Sequence, residues 1–411
     1  MHRTASIVGL AAISAAALAS SLLPAAAAPA AGRPAAAPLA APVAPRTTLS
    51  GTPKTFSTTD GDILVVARIN GLSRAAIGIG GNFTHVITSD GVSHAAKNFA
   101  VLDARTGAMI YAGNVNSYVR AIASYKGTTY IGGDFGVVSG VARRRVAALD
   151  SRFRLTVWNP SPSKTVRALA ADSTGVYITG DFGALRKIPL LRGRTLWSKT
   201  ITGGSGRALQ LLSGSLYLGG LFDAYAGYVR HGLIKINPKT GAYYRSFNAK
   251  LRSNSHVGSA GAFDGEGVLA LGAVGRSILV IGTGGQAAAG KISNQLIRAS
   301  ATTGARYWKQ VLVGDCQAVA VVGATDIAGY HRNTPNGATP FPEFGAQFND
   351  SDGALTTWDP LLTGIQGNAD HGNNGIQGMF ADASLKTLYV AGAFTQWNGS
   401  PKQSLVAYAW S

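Results

Sequence analysis

The chain contains a single cysteine. Cys316 stands alone among 411 residues, so no intramolecular disulfide can form and stability has to come from burial. It sits in Asp315-Cys316-Gln317-Ala318-Val319, at the start of an apolar strand, and reads as a small buried hydrophobe rather than a nucleophile. Acidic residues are scarce as well: 19 Asp and Glu against 37 Lys and Arg leave a formal charge of +18. Such an excess points to an anionic environment, for example a wall polymer, an acidic glycan or a membrane surface, or else to charge that keeps a sheet protein in solution. Past the first residues no long hydrophobic run occurs. The most apolar stretch, Val268 to Ile281, is broken by Gly272, Gly275 and Arg276 and reads as two strands around a turn, which excludes a membrane span. Local signatures of chemistry are also missing. No Ser-His-Asp order, paired-carboxylate spacing or His-Glu-x-x-His motif occurs. No helix-turn-helix, zinc or single-strand-binding signature occurs either, so nucleic acid is not expected as a partner despite the charge.

Glycine, by contrast, is plentiful, with 53 residues in a chain that is 46% hydrophobic. That pairing fits a turn-rich all-β protein and not a disordered one. The glycines belong to a repeat. Thr129 to Asp150 reads TYIGGDFGVVSGVARRRVAALD, Leu216 to Asn237 reads LYLGGLFDAYAGYVRHGLIKIN, and Leu388 to Trp410 reads LYVAGAFTQWNGSPKQSLVAYAW. Ahead of the motif lie short apolar, β-prone runs such as Val119 to Ala123 (VRAIA) and Val166 to Ala170 (VRALA). Tyr130-Ile131-Gly132-Gly133 continues a stretch with the period-two alternation of a half-buried strand, and the glycine pair marks a close backbone approach. Phe135 anchors the unit, Val146 to Leu149 supplies a third strand, and an outer edge ends at Trp158-Asn159-Pro160.

About four strands in about 45 residues, repeated, is the pattern of a β-propeller, whose blades bury their faces on one another around an axis. Seven copies of the glycine motif or its remnant occur, at Gly80-Gly81, Gly132-Gly133, Thr179-Gly180, Gly219-Gly220, Gly282-Thr283-Gly284-Gly285, Val322-Gly323-Ala324 and Ala391-Gly392. The expectation is therefore seven four-stranded blades. The fifth and sixth copies are degenerate, so six or eight stay open. The last copy offers three strands, Gly375 to Phe380, Leu388 to Phe394 and Ser404 to Trp410. The fourth is expected from Thr52 to Thr58, pairing beside Ser404 to Trp410 and closing the ring through the two terminal segments.

The unit of apolar-Arg-Ala-apolar, Leu-Tyr-x-Gly-Gly-x-Phe, a basic loop and Ala-Ala-Leu-Asp resembles the delta-60-type β-propeller repeats of secreted bacterial proteins. The resemblance runs over roughly Asp60 to Ser411 and implies a propeller outside the cell, with no particular reaction. A wider resemblance is to quinoprotein-like propellers. Leu102-Asp103-Ala104-Arg105-Thr106-Gly107, Ile236-Asn237-Pro238-Lys239-Thr240-Gly241 and Ala301-Thr302-Thr303-Gly304 look like their blade-docking motif, which implies a structural role in locking blade to blade. The quinone-using members often carry an adjacent cysteine pair, and this chain has Cys316 alone, which argues against quinone chemistry.

At the start of the chain, Arg3, the uncharged run Ile7 to Leu23 and the Ala-x-Ala sites of Ala25 to Ala30 read as a signal peptide over residues 1–30. Residues 31–50 read as an Ala/Pro-rich linker and 51–411 as a single propeller domain. The expected location is extracellular, with no transmembrane segment once the signal is removed.

Several residues qualify as site candidates. His331 and Arg332 follow the sixth copy's second strand, and Asp370 and His371 precede the last blade. Both pairs lie in long insertions, and propeller function usually resides on blade-connecting loops. His331, His371 and Asp370 are the catalytic candidates. Arg143, Arg144, Arg145 and Arg332 are the ligand-binding candidates, because a guanidinium grips phosphate or carboxylate through two parallel hydrogen bonds. Asp134, Asp181 and Asp223 occupy or neighbour the position after the glycine pair. They could ring the channel and hold a cation such as calcium, but turn capping is the commoner use. Asn349-Asp350-Ser351-Asp352-Gly353 resembles the start of a calcium loop without its downstream Glu and reads as a turn. Gly282-Thr283-Gly284-Gly285-Gln286-Ala287 fits a dinucleotide fingerprint in the wrong context, since no crossover helix follows. No resident metal or cofactor is expected. The functional expectation is a secreted binding scaffold whose basic surface engages an anionic extracellular polymer or a protein partner. The alternative is an extracellular glycan lyase, glycan hydrolase or oxidoreductase with its site on the insertions.

Overall fold

The apolar run that opens each repeat forms a long strand, and these strands stand side by side. They are Asp62–Ile69, Val119–Tyr125, Val166–Asp172, Ser205–Leu212, Gly267–Val274, Cys316–Val322 and Ile376–Asp382. Each touches the next, and the last touches the first, so they form a closed ring of inner strands. Every one of them starts its own antiparallel sheet, called here blades 1 to 7 in chain order. The computed structural model describes residues 46–252, 266–285, 294–331, 341–364 and 375–411. No helix among them is long and apolar enough to cross a membrane.

Behind each inner strand runs the strand that carries the glycine motif, for example Thr128–Gly133 in blade 2. The two glycines have different tasks. A Cβ on Gly132 would meet Val166 Cγ1 of the next blade at 2.6 Å, and one on Gly133 would lie 2.0 Å from the Tyr118 carbonyl oxygen of its own blade. The first glycine admits the neighbouring blade and the second lets the chain entering the inner strand pass close by. Gly219 and Gly220 do the same against Val268 and Ser205.

The tyrosine of the motif ties blades together. It is fully buried, and its hydroxyl donates to a backbone carbonyl of the next blade: Tyr130 to Leu190 at 3.0 Å, Tyr217 to Ala301 at 2.5 Å and Tyr389 to Ala104. Ala104 and Ala301 lie inside the docking motifs read from the sequence. In the first of these, the Asp103 carboxylate accepts from the amides of Arg105 and Thr106 at 2.9 and 3.1 Å. The motif shapes a turn that presents its carbonyl to the adjacent blade. Each such contact removes a tyrosine ring from water, worth about 1.5–3 kcal/mol by apolar area, while the hydroxyl stays satisfied.

Blades 1, 3 and 5 have a full fourth strand, Met109–Ala112, Trp197–Thr202 and Arg306–Val311. In blades 2, 4 and 6 the fourth strand is reduced to single bridges, Leu149 to Leu155, Ile236 to Tyr243 and Phe348 to Leu355. The four-stranded expectation thus holds as regular structure in alternate blades. Asn349 to Gly353 forms the expected turn, with the Gly353 amide donating to the Asn349 carbonyl at 2.9 Å. Cys316 is wholly buried, and burial pushes its thiol far up, which leaves it inert.

Blade 7 has three strands of its own, Ile376–Asp382, Thr387–Gly392 and Leu405–Ala409. The N-terminal segment runs along the outer one, as expected, but in a shifted register. Leu49 bridges Trp410 and Lys54 bridges Ala407. The Ser50 and Lys54 amides donate to the Ala409 and Ala407 carbonyls at 2.8 and 2.7 Å. The pairing thus starts before Thr52. Thr58–Thr59 leaves the seam and pairs with Val86 and Ile87 of blade 1. Phe56 fills the junction, with its ring 5.6 Å from that of Tyr389. Thr47, from the segment read as linker, is buried too: the Ala324 amide donates to its hydroxyl, and the Gln347 side chain to its carbonyl, both at 2.8 Å.

Candidate functional site

All seven inner strands share one irregularity. Their register against the second strand shifts near the start, so that one residue is left unpaired: Leu64, Arg120, Arg167, Arg207, Leu269, Gln317 and Gln377. A bulge re-aims the extra residue's side chain, and here all seven line a cavity of about 180 Å³ at one end of the channel. The adjoining channel is lined in addition by Ile122, Leu169, Leu209, Leu271 and Val319.

The mouth is polar and uneven. Arg120 donates from Nε to Asp134 Oδ2 at 2.8 Å, and the same oxygen lies 2.8 Å from its Nη2. Its guanidinium lies 4.9 Å from the centre of the Tyr118 ring, a cation–π contact. Arg167 grips Asp181 in bidentate fashion, at 2.7 to 3.0 Å. Burial works to raise the Asp181 carboxyl, but the hydrogen bonds and charge of Arg167, joined by Arg207, hold it below the usual carboxylate range. Each acid lies 14 residues after its arginine. Asp134 also accepts from Thr165 Oγ1, on the threshold of the next blade, at 2.6 Å.

Arg207 breaks this pattern. The residue 14 places on is Leu221, so the partner acid is missing, and Arg207 forms no ion pair among the described residues. Its Nε is buried without a hydrogen-bond partner. Burial lowers its pKa to about 10, with the nearby Arg167 charge adding to the effect and Asp181 opposing it.

Across the mouth the bulged side chains are uncharged. Gln377 Nε2 donates to Gln317 Oε1, and Gln317 Nε2 donates to His331 Nδ1 at 2.9 Å. His331 Nε2 faces Asp315 Oδ2 at 3.9 Å. His331 stands 14 residues after Gln317, as the acids stand after their arginines. The structure therefore brings one of the sequence candidates to the channel mouth. Gly375, which ends the second long insertion, lies against the Tyr330 carbonyl and the His331 Cα, where an added Cβ would fall within 2.4 and 3.1 Å. Arg332, Asp370 and His371 fall outside the described residues.

The arginine run lies elsewhere, in a blade 2 loop. Arg143 donates to the Ala142 and Thr156 carbonyls at 2.9 and 2.8 Å, and Arg145 donates to the Asp134 carbonyl. Two of the three guanidiniums thus brace their own loop, and Arg144 is exposed. Asp134 and Asp181 do ring the channel, but as partners of arginines rather than as the turn caps favoured from the sequence. Asp223 pairs with His231 at 3.1 Å. No group of three or more His, Cys, Asp or Glu able to hold a metal occurs among the described residues.

No protein-family model matches the sequence, and no curated protein matches it. Solved structures do. That of U3-55K superposes with a TM-score of 0.57 at 10% identity, over 87% of this chain and 100% of its own. The RRP9 WD40 repeats give 0.57 at 10% identity, over 89% and 100%. The WD40 β-propeller domain of Doa1 gives 0.50 at 6% identity, over 87% and 96%. The fold is a β-propeller. Identities this low carry the architecture and nothing about ligands. In the propeller the glycine pairs and docking tyrosines are blade machinery, and the bulge residues are the part of the repeat turned towards the axis.

Arg120, Arg167 and Arg207 are not among the sequence candidates, although the repeat unit of apolar-Arg-Ala-apolar already contains them. The signal was there: an arginine at the same place in three consecutive apolar strands, with an acid 14 residues on in two of them.

Proposed function

We propose that the protein is an exported, non-catalytic binding scaffold of the delta-60 kind, whose basic surface engages an anionic extracellular polymer. The observation that carries this reading is how its charge is distributed. Ten acids pair with arginine or histidine among the described residues, and no lysine there forms an ion pair. Seven of these acids hold arginines and three face histidines, which leaves the lysines of the described residues without ion pairs and supports a basic solvent face on a chain of formal charge +18. A charge of this size raises the local concentration of a polyanion and speeds its capture. The signal-like N-terminus read from the sequence supports a polyanion outside the cell. The test is retention of the purified protein on isolated cell wall or an anionic resin across a salt series. Retention at low salt that weakens as the Debye length shrinks is expected; passage through both matrices at low salt overturns the reading.

The catalytic alternative has one observation in its favour, the Asp315–His331–Gln317 arrangement beside the channel. Turnover in a panel of polysaccharide and quinone-dye assays, abolished by His331→Ala, would favour it over the scaffold.

A further inference from the structure

We propose that Arg120, Arg167 and Arg207 form a binding site for one monoanionic two-oxygen group, the carboxylate of an acidic sugar or the phosphodiester of a polymer backbone, with Arg207 as the guanidinium that takes it. For the source of the ligand this rests on the anionic-polymer reading; the geometry of the site stands without it.

Three guanidiniums face two carboxylates, Asp134 and Asp181. Among the described residues the balance on this arginine arc is therefore one positive charge, which matches a monoanion better than a dianion, while the Asp315 carboxylate stands across the mouth beside His331. The positive charge is localised. Asp134 holds Arg120 and Asp181 holds Arg167, while among the described residues Arg207 has no acid of its own and carries a buried Nε without a partner. An unsatisfied buried donor on a permanent cation is costly to maintain, and an oxyanion would satisfy it. A guanidinium presents parallel N–H groups to two oxygens of one group.

The remaining wall does not compete. Leu64, Leu269, Gln317 and Gln377 carry no charge, and the glutamine amides are able to bond a sugar hydroxyl or a third oxygen. At about 180 Å³ the cavity is smaller than the roughly 300–1,000 Å³ of sites for drug-sized ligands. It suits one sugar ring or one phosphate group of a longer chain.

The cause of the imbalance can be traced along the ring. Asp134 reaches Thr165 at the entrance of blade 3, and Asp181 interacts with Ser205 at the entrance of blade 4. At the entrance of blade 5 the corresponding contact is apolar: a Cβ on Gly267 would strike Leu221 Cδ2 at 2.1 Å. One junction in the series has exchanged its acid for leucine and kept its arginine.

The decisive variant is Leu221→Asp, which supplies the missing acid at the spacing used by the other two. It should give Arg207 an internal partner and bring the site to neutrality. Titration calorimetry of the full protein with glucuronate and, separately, with dimethyl phosphate is expected to show saturable binding of at least one probe. The tighter probe identifies the source chemistry. Leu221→Asp and Arg207→Gln should each weaken binding about tenfold or more with thermal unfolding still cooperative. Should Leu221→Asp fail to fold, Arg207→Gln carries the test. Absence of saturable binding of both probes to the unaltered protein overturns the site, as does unchanged affinity in the folded variants. Polymer retention is measured in parallel: retention without probe binding overturns the site and leaves the scaffold reading, and probe binding without retention does the reverse.

Discussion

Blades 2, 3 and 4 place arginine at the bulge that faces the axis, and blades 5, 6, 7 and 1 place Leu269, Gln317, Gln377 and Leu64 there. The backbone is the same on both arcs, because the register shift recurs in every inner strand. The side chains differ because a bulged residue is excluded from the ladder and from the packing between blades, so no core contact dictates its chemistry. What the charged arc needs instead is a second residue to hold the charge, and two of its three blades have one. The neutral arc satisfies itself through amides and His331. A propeller can therefore carry a binding surface on one side of its axis without any change in how its blades pack.

The largest effect should come from opening the ring on its uncharged side. The seam between blade 7 and blade 1 lies between Gln377 and Leu64, and residues 46–59 bridge it. Removing them deletes Leu49 and Phe56, each of which is 4% exposed or less, and uncovers the core they pack against, at a cost of about 1.5–3 kcal/mol apiece. In a domain of this size that corresponds to a fall in melting temperature of roughly 5–10 °C. Anion binding measured well below the new midpoint should survive, since the arginine arc lies across the ring. An unchanged midpoint would show that the seam contributes nothing.

The second test unbalances the charged arc. Asp181→Asn leaves Arg167 and Arg207 side by side without a carboxylate, and urea unfolding should show a loss of about 1–3 kcal/mol for this half-buried pair. Asn82→Ala, at the matching position of blade 1, should cost under about 1 kcal/mol by the same measurement. Equal losses would mean that the arcs are held by packing alone.

The smallest effect separates Asp181 from Asp326, an acid under Arg298 at 2.7 Å with its side chain wholly buried. Burial pushes the Asp326 carboxyl up to about 6, against the opposing charge and hydrogen bond of Arg298. Its folded value thus exceeds the ordinary 3.8, so its contribution to stability is full below that value and fades as pH rises through about 6. Asp181 has the opposite sign: its contribution is present above 3.8 and is lost as pH falls through its lowered value. Between pH 4 and 6 the wild type should lose on the order of 1 kcal/mol relative to Asp326→Asn. Parallel stability curves for the two proteins across that window would contradict the assignment.

Much of the propeller was legible because its local rules leave marks in sequence. Alternation gave the second strands, the glycine pairs gave the close approaches, and a last copy short of one strand gave the closure. The register of the closing segment was not legible. Leu49 and Phe56 are both apolar anchors, and a segment held by two isolated bridges has no alternation to choose between them. The bulges escaped for a similar reason: a period-two reading treats Arg120 as one more alternate residue, and the displacement that turns it to the axis appears only against its partner strand. Asp134 and Asp181 looked like turn residues because their arginines lie 14 places away, beyond the reach of local reasoning. Arg143 and Arg145 look like a ligand grip in sequence and turn out to be braced on the carbonyls of their own neighbourhood.

The seam also fixes an order of events in folding. The hydrogen bond from the Ala409 amide to Ser50 Oγ joins residues 359 apart, so the first strand to leave the ribosome waits for the last. Contacts of such separation form late, because the loop they close is nearly the whole chain. Until then blade 7 presents the open edge Leu405–Ala409 and blade 1 lacks its neighbour on the seam side. Capture of that edge by another chain competes with closure, so refolding yield should fall as protein concentration rises even where the closed ring is stable.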